Sequence, residues 1–153
     1  MRASGSAGLP RAPLLLGAAG LVPFLWGALT AWAPALDAWG AELLGPRWTG
    51  REVLLSYGVV ILAFMAGTIW GFATREGGDG RGPAAAWLFG LSVLPALWAW
   101  AMGWSGLALI VGFLGLLPLD WRARARGVAP SWWLRLRLPL TAGVVLCLLL
   151  ALP

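Results

Sequence analysis

The sequence predicts an all-α integral membrane protein, a polytopic bundle of about five transmembrane helices. Hydrophobic residues make up 60% of the 153-residue chain and charged residues only 11%, whereas soluble domains carry about 25% charged residues. Apolar runs long enough to cross a bilayer recur along the chain, and the charges fall mainly between these runs. Too few polar side chains remain to coat a soluble protein, so we expect residues 1–153 to form one membrane domain.

Five apolar segments have about the 17–25 residues that a membrane-crossing helix needs. They are residues 13–32, 53–73, 83–102, 105–119 and 136–152. The third and fourth segments come from one uncharged stretch, which as a single helix would be about 54 Å long and would exceed the roughly 30 Å hydrocarbon core. The sequence Gly103-Trp104-Ser105-Gly106 supplies turn residues near its middle. The third and fourth helices are therefore predicted to form a tight hairpin.

The arginine residues predict the orientation of the chain in the membrane. All eleven basic residues are arginine, and only Arg47 and Arg51 lie on one predicted side. The other nine share the opposite side: Arg2, Arg11, Arg75, Arg81, Arg122, Arg124, Arg126, Arg135 and Arg137. Because arginine-rich loops stay in the cytoplasm, we expect a cytoplasmic N-terminus and an external C-terminus.

The first apolar segment also has features of a cleavable secretory signal. Arginine residues precede it, and Ala31-Trp32-Ala33 has the small-x-small pattern of a cleavage site. However, Pro34 would directly follow the cut, and Pro23 interrupts the apolar run. We therefore expect the first helix to be retained.

Small residues form a stripe on the second predicted helix. Ala63, Gly67 and Gly71 recur at every fourth position and so share one helix face. Small residues allow close helix–helix approach in lipid. The stripe predicts a helix-packing surface, foremost within the monomer, with an oligomer interface and a ligand groove as alternatives.

The segment before the last helix combines arginine with tryptophan, which suits the anionic headgroup layer of the inner leaflet. The candidate headgroup contacts are Arg122, Arg124, Arg126, Trp132, Trp133, Arg135 and Arg137. Glu52 and Asp120 lie at span ends with Arg51 and Arg122 nearby, which indicates ion pairs at the interface.

The sequence also excludes several kinds of chemistry. No Asp, Glu, Lys, Arg or His lies in the central part of any predicted span, so a proton relay or ion path has no obvious carrier. The chain has no histidine and a single cysteine, Cys147, which removes the usual zinc, copper and haem ligand sets. No catalytic triad is present either. We therefore expect no cofactor and do not expect enzymatic activity.

Three functions remain open. The first is a non-catalytic accessory or assembly protein, whose partners would be the lipid bilayer and other membrane proteins or a second copy of itself; nucleic acid is not an expected partner. The second is a binder or carrier of a hydrophobic small molecule such as a quinone or lipid, in a pocket near Pro23, Pro95 and the tryptophans Trp98 and Trp104. A membrane enzyme is the least favoured of the three.

Two segments resemble the signatures of a known family. They are Ser56-Tyr57-Gly58-Val59-Val60-Ile61-Leu62-Ala63-Phe64-Met65-Ala66-Gly67 with Trp70-Gly71, and Leu134-Arg135-Leu136-Arg137-Leu138-Pro139-Leu140-Thr141 after the arginine-rich stretch 120–126. The chain is similar to a small bacterial inner-membrane family of unknown function that includes a mitochondrial relative, transmembrane protein sixty-nine. The resemblance implies about five membrane helices, a location in the inner (plasma) membrane of a bacterium, and no established activity. Many members carry histidine before the tryptophan of the first signature, where this chain has Ile69, so no histidine-based role carries over.

Overall fold

The computed structural model describes residues 8–152, which fold into six α-helices and no strand. The helices are α1 (Arg11–Trp32), α2 (Pro34–Leu44), α3 (Gly50–Ala73), α4 (Pro83–Met102), α5 (Gly106–Ala125) and α6 (Trp133–Leu150), with short 3-10 turns at Pro46–Trp48 and Glu76–Gly78. All except α2 are long and apolar enough to cross a membrane. The predicted all-α polytopic bundle is confirmed.

The five long helices alternate in direction, so their connections gather at two ends of the bundle. At one end, Arg126 Nη1 pairs with Glu76 Oε1 at 2.8 Å and joins the connection after α3 to the connection after α5. We call this end, which also carries the start of α1, the arginine-rich end. At the opposite end, the Trp32 indole donates a hydrogen bond to the Leu150 carbonyl oxygen.

Helices α4 and α5 form the predicted hairpin, joined by only three residues, 103–105. Ser105 caps α5, because its Oγ accepts a hydrogen bond from the Ala108 amide. Across the hairpin, Trp98 Nε1 donates to the Ala108 carbonyl oxygen at 2.7 Å. Helix α4 also packs along α3, where the rings of Trp70 and Phe89 meet edge to face with their centroids 4.8 Å apart.

Two helix boundaries differ from the expected span limits. Helix α5 continues to Ala125, six residues beyond the expected end at 119, because arginine and alanine are good helix formers and a charge ends only the membrane-embedded part of a helix. Helix α6 begins at Trp133, three residues before the expected start at 136. Both extensions bring charged side chains onto helices rather than loops.

Close helix contacts are made at glycines outside the small-residue stripe. A Cβ at Gly27 of α1 would lie 2.7 Å from Leu54 Cγ and 3.1 Å from the Gly50 carbonyl oxygen of α3. A Cβ at Gly112 of α5 would lie 2.4 Å from Leu62 Cδ2. The missing side chains therefore let α1 and α5 approach α3. Between the helices lies one main apolar core that includes Phe24, Leu62, Ile69, Leu109, Phe113 and Leu116.

Candidate functional site

The small-residue stripe of α3 faces away from the rest of the bundle. Gly67 and Gly71 are exposed, and a Cβ at either position would meet nothing within 4 Å, while Ala63 is half-buried. The opposite face of α3 supplies the core with Leu62 and Ile69. The two glycines therefore do not serve the packing within the monomer that we expected, and a contact with another molecule stays a prediction.

The arginine and tryptophan residues near α6 divide into an outward and an inward set. Arg122, Arg124, Arg126 and Arg135 are exposed at the arginine-rich end, and Trp132 is half-buried. Arg137, expected among the headgroup contacts, is instead buried, and Trp133 also turns inward to a polar partner. The physical reason is helical spacing: residues four apart share one face of a helix, and this face of α6 packs against α5.

A buried ion pair joins α5 to α6. Arg137 Nε donates to Asp120 Oδ2 at 2.9 Å, and the two side chains are only 5% and 1% exposed. Trp133 Nε1 donates to Asp120 Oδ1 at 2.6 Å, so each carboxylate oxygen has one donor. The expected pairing of Asp120 with Arg122 is wrong, because Arg122 lies on the exposed face of α5.

The same guanidinium reaches across to α3, where Arg137 Nη1 contacts Met65 Sδ at 2.8 Å. The remaining nitrogen, Nη2, is buried and has no hydrogen-bond partner among the described residues. Thr141 Oγ1, one turn further along α6, is likewise buried and without a partner in residues 8–152. In contrast, the buried hydroxyls of Thr30 and Ser92 bond to carbonyl oxygens of their own helices.

Arg137 and Thr141 line a cavity of about 390 Å³ between α1, α3 and α6. This volume lies within the roughly 300–1,000 Å³ range of small-molecule sites. Of the residues around it, Arg137 is the only one with a charge, and most of the others are apolar. The lining is Pro13, Leu16, Gly17, Gly20, Leu21, Phe24, Ile61, Phe64, Met65, Thr68, Phe113, Trp132, Trp133, Leu136, Arg137, Leu140, Thr141 and Val144.

The cavity exists because α1 and α3 touch closely only towards the end opposite the arginine-rich end. There Gly27 lets α1 rest against Leu54, whereas nearer the arginine-rich end the two helices stand on either side of the cavity. Its rim includes Leu16 and Phe64, which are 73% and 66% exposed. Both rim residues lie in helices that are long and apolar enough to span a membrane, so the cavity opens on the side of the bundle that such a membrane would cover.

The pocket expected near Pro23 is a separate feature. Pro23 lines a groove of about 720 Å³ with Trp26 and Trp48. Neither Trp98 nor Trp104 lines this groove. The structure does not bring Pro23, Pro95, Trp98 and Trp104 together around one pocket, and it is the cavity beside Arg137 that sequence reasoning missed.

Within residues 8–152, no group of three His, Cys, Asp or Glu side chains is placed to hold a metal ion. The available signal for the site was the spacing of Trp133 and Arg137, four residues apart, together with an acidic residue at the end of the preceding span. This pattern indicates a shared helix face with an oppositely charged neighbour.

Comparison with known protein families identifies an uncharacterised family. Residues 9–153 match the family model described as Protein of unknown function (DUF3429), and the chain belongs to this family. No curated protein and no solved structure matches it.

Proposed function

We propose that this member of the DUF3429 family is a non-catalytic membrane protein that binds a hydrophobic small molecule in the cavity between α1, α3 and α6. The observation that carries the proposal is the combination of apolar walls with two buried donors that lack partners, Arg137 Nη2 and Thr141 Oγ1. Of the three functions expected from the sequence, the binder of a hydrophobic small molecule is thus favoured over the accessory or assembly protein.

The two donors allow the cavity to select its occupant by the chemistry of the polar head. An apolar tail gains little hydrophobic free energy when it moves from lipid into an apolar cavity, because lipid tails are equally apolar. Filling an empty space still restores van der Waals contacts. A polar head that accepts hydrogen bonds adds more, since an unsatisfied buried donor costs about 1–3 kcal/mol and the membrane interior has no water to satisfy it.

The cellular setting belongs to the same proposal. The bias of arginine towards one end supports insertion with this end in the cytoplasm, and the resemblance of the two signature segments supports a bacterial inner membrane. The cavity would then open into the inner half of the plasma membrane. The exposed residues Arg122, Arg124, Arg126 and Arg135 would then contact anionic headgroups. Kinship with the mitochondrial transmembrane protein sixty-nine rests on the two signature segments.

Photolabelling tests the binding proposal. The probe is a sixteen-carbon methyl ester with a diazirine in mid-chain, added to the purified protein in detergent and mapped by peptide mass spectrometry. We expect labelling within the segments 61–65 and 140–144, each of which contributes three residues to the cavity lining. Gly20→Leu fills the cavity, since a Cβ at Gly20 meets only the Tyr57 hydroxyl oxygen, at 3.9 Å, and it should abolish this labelling.

Gly90→Leu is the matched control, because it is the same exchange at an exposed position of α4 with nothing within 4 Å of the new Cβ. Its labelling should equal that of the wild type. Labelling at the cavity residues that persists in Gly20→Leu, or labelling spread evenly over the exposed helix faces, would refute the proposal.

A contact with a second membrane helix is the other candidate function, and the outward stripe favours it. Gly67 and Gly71 offer a flat surface that this monomer leaves uncovered, and such surfaces suit close helix packing in lipid. Gly67→Ile should dissociate an oligomer or a copurifying partner in native gel electrophoresis, whereas Gly90→Ile should not. Identical migration of all three proteins as monomers would remove this candidate.

A further inference from the structure

We infer that the head of the bound molecule is a neutral carbonyl group, such as that of an ester, an amide or a quinone ring, and not a carboxylate or a phosphate. This inference rests on the proposed function and narrows it to one chemical class. It follows from the charge balance at Arg137, from the hydrogen-bonding capacity that remains there, and from the position of the guanidinium along the cavity.

The positive charge of Arg137 is already compensated by the carboxylate of Asp120. Its Nε donates to Asp120 Oδ2 at 2.9 Å, and Asp120 Oδ1 accepts from Trp133 Nε1 at 2.6 Å. No other residue that lines the cavity carries a charge. An anionic head would therefore leave one negative charge uncompensated in a medium of low dielectric constant, which is strongly unfavourable. A cationic head would be repelled by the guanidinium, and Asp120 is not among the residues that line the cavity.

The unused capacity at Arg137 consists of donors, and the Thr141 hydroxyl, which has no partner among the described residues, can donate as well. A guanidinium nitrogen has only N–H groups to offer, whereas a carbonyl oxygen has two lone pairs. Arg137 and Thr141 are four residues apart and thus share one face of α6. One carbonyl oxygen can therefore accept from both Arg137 Nη2 and Thr141 Oγ1. Since both atoms are covered in the empty cavity, small rotations of the two side chains accompany binding.

The position of Arg137 along the cavity determines how the bound molecule is oriented. The residues of α6 that line the cavity run from Trp133 near the arginine-rich end to Val144, a rise of roughly 17 Å along a helix. Arg137 lies near the start of this interval, and Phe24 and Phe113, both fully buried, lie towards the membrane centre. A carbonyl head at Arg137 thus leaves its tail against apolar side chains.

Competition against the photoprobe tests the inference. The competitors are methyl palmitate, ionised palmitate at alkaline pH, and hexadecane, which has no polar head. We expect methyl palmitate to compete at a concentration at least about tenfold lower than either of the others, a difference of about 1.4 kcal/mol. Thr141→Val removes one hydrogen bond and should weaken methyl palmitate about fivefold without changing the competition by hexadecane.

For Asp120→Asn we expect the reverse order of the two competitors methyl palmitate and palmitate. This substitution leaves the charge of Arg137 unmatched, so palmitate should become the stronger competitor. If this variant does not fold, the ranking of the three competitors on the wild type and on Thr141→Val decides the question alone.

Three outcomes distinguish failure of the inference from failure of the proposed function. Stronger competition by palmitate on the wild type, lost in Gly20→Leu, would overturn the neutral head and leave the binding cavity intact. Equal competition by all three compounds would overturn the selection by head group. Labelling that Gly20→Leu does not reduce would end both the inference and the proposed function.

Discussion

Two buried threonines show how differently the same residue is used in this protein. Thr30 Oγ1 donates to the Trp26 carbonyl oxygen at 2.8 Å and accepts from the Gly50 amide at 2.7 Å, so it ties α1 to the start of α3. Thr141 is equally buried, but its hydroxyl has no partner within the described residues. The first arrangement stabilises the fold, whereas the second leaves a polar group beside the cavity.

Replacing each threonine by valine should therefore change stability in opposite directions. Thr30→Val should lower the free energy of unfolding by about 1–3 kcal/mol, because it leaves the Gly50 amide without its acceptor. Thr141→Val should raise it by up to about 1 kcal/mol, because it removes an unsatisfied hydroxyl. Denaturation in detergent micelles, followed by circular dichroism, measures both. A loss of stability in Thr141→Val as large as that in Thr30→Val would show that its hydroxyl is bonded in the native state.

At the scale of elements, α6 is attached to α5 by charge and α1 to α3 by close packing. The pair between Asp120 and Arg137 is almost fully buried, unlike the exposed pair between Asp79 and Arg81. Removing one partner of a buried pair leaves an uncompensated charge, which is far more unfavourable than losing a surface pair.

We expect Asp120→Asn to reduce the free energy of unfolding by about 3–5 kcal/mol. The double variant Asp120→Asn with Arg137→Met should recover most of this loss, because it removes the unmatched charge as well. Asp79→Asn serves as the surface control and should leave thermal unfolding unchanged. An equally small effect of Asp120→Asn and Asp79→Asn would contradict the burial of the pair.

The glycine contacts of α1 and α3 give a second test at this scale. Gly27→Ala should destabilise the protein by about 1–3 kcal/mol, because its Cβ would lie within 3.1 Å of atoms in Leu54, Val53 and Gly50. Gly67→Ala meets open space and should stabilise α3 by up to about 1 kcal/mol. Thermal unfolding of the two variants measures the contrast, and a shift of equal sign in both would argue against close packing at Gly27.

The helices of this protein were predictable from sequence, whereas its cavity was not. Apolar length and turn residues suffice for the long helices, because burial in lipid depends on composition within one segment. The inward turn of Arg137 depends instead on which face of α6 meets Asp120 of α5, a relation between two helices. The predicted span 136–152 begins one residue before Arg137, so its charge suggested a contact with headgroups at the membrane surface. Arg137 instead lies on the face of α6 that turns into the bundle.

The whole molecule is organised by its two unequal ends. Among the described residues, arginine is concentrated at the end that carries residues 74–82 and 126–132, and the opposite end has only Arg47 and Arg51. This asymmetry supports one orientation in the membrane, and the orientation decides from which half of the bilayer the cavity is reached.

Cysteine accessibility tests the orientation. Glu42→Cys of α2 and Asp79→Cys of the connection after α3 place exposed thiols at opposite ends, while the native Cys147 is buried. A membrane-impermeant maleimide should label Glu42→Cys in intact spheroplasts and Asp79→Cys only after lysis. The wild type is the control for background labelling of Cys147, and the reverse pattern would invert the topology.

The most direct test of the cavity as a binding site is mass spectrometry of what the protein carries out of its native membrane. Wild type, Gly20→Leu and Gly90→Leu are purified in parallel, and their organic extracts are compared for compounds present in near-stoichiometric amounts. We expect a neutral, carbonyl-bearing lipophile in the wild type and in Gly90→Leu that is lost from Gly20→Leu. The same extract from all three proteins, or no such compound in any of them, would contradict the account.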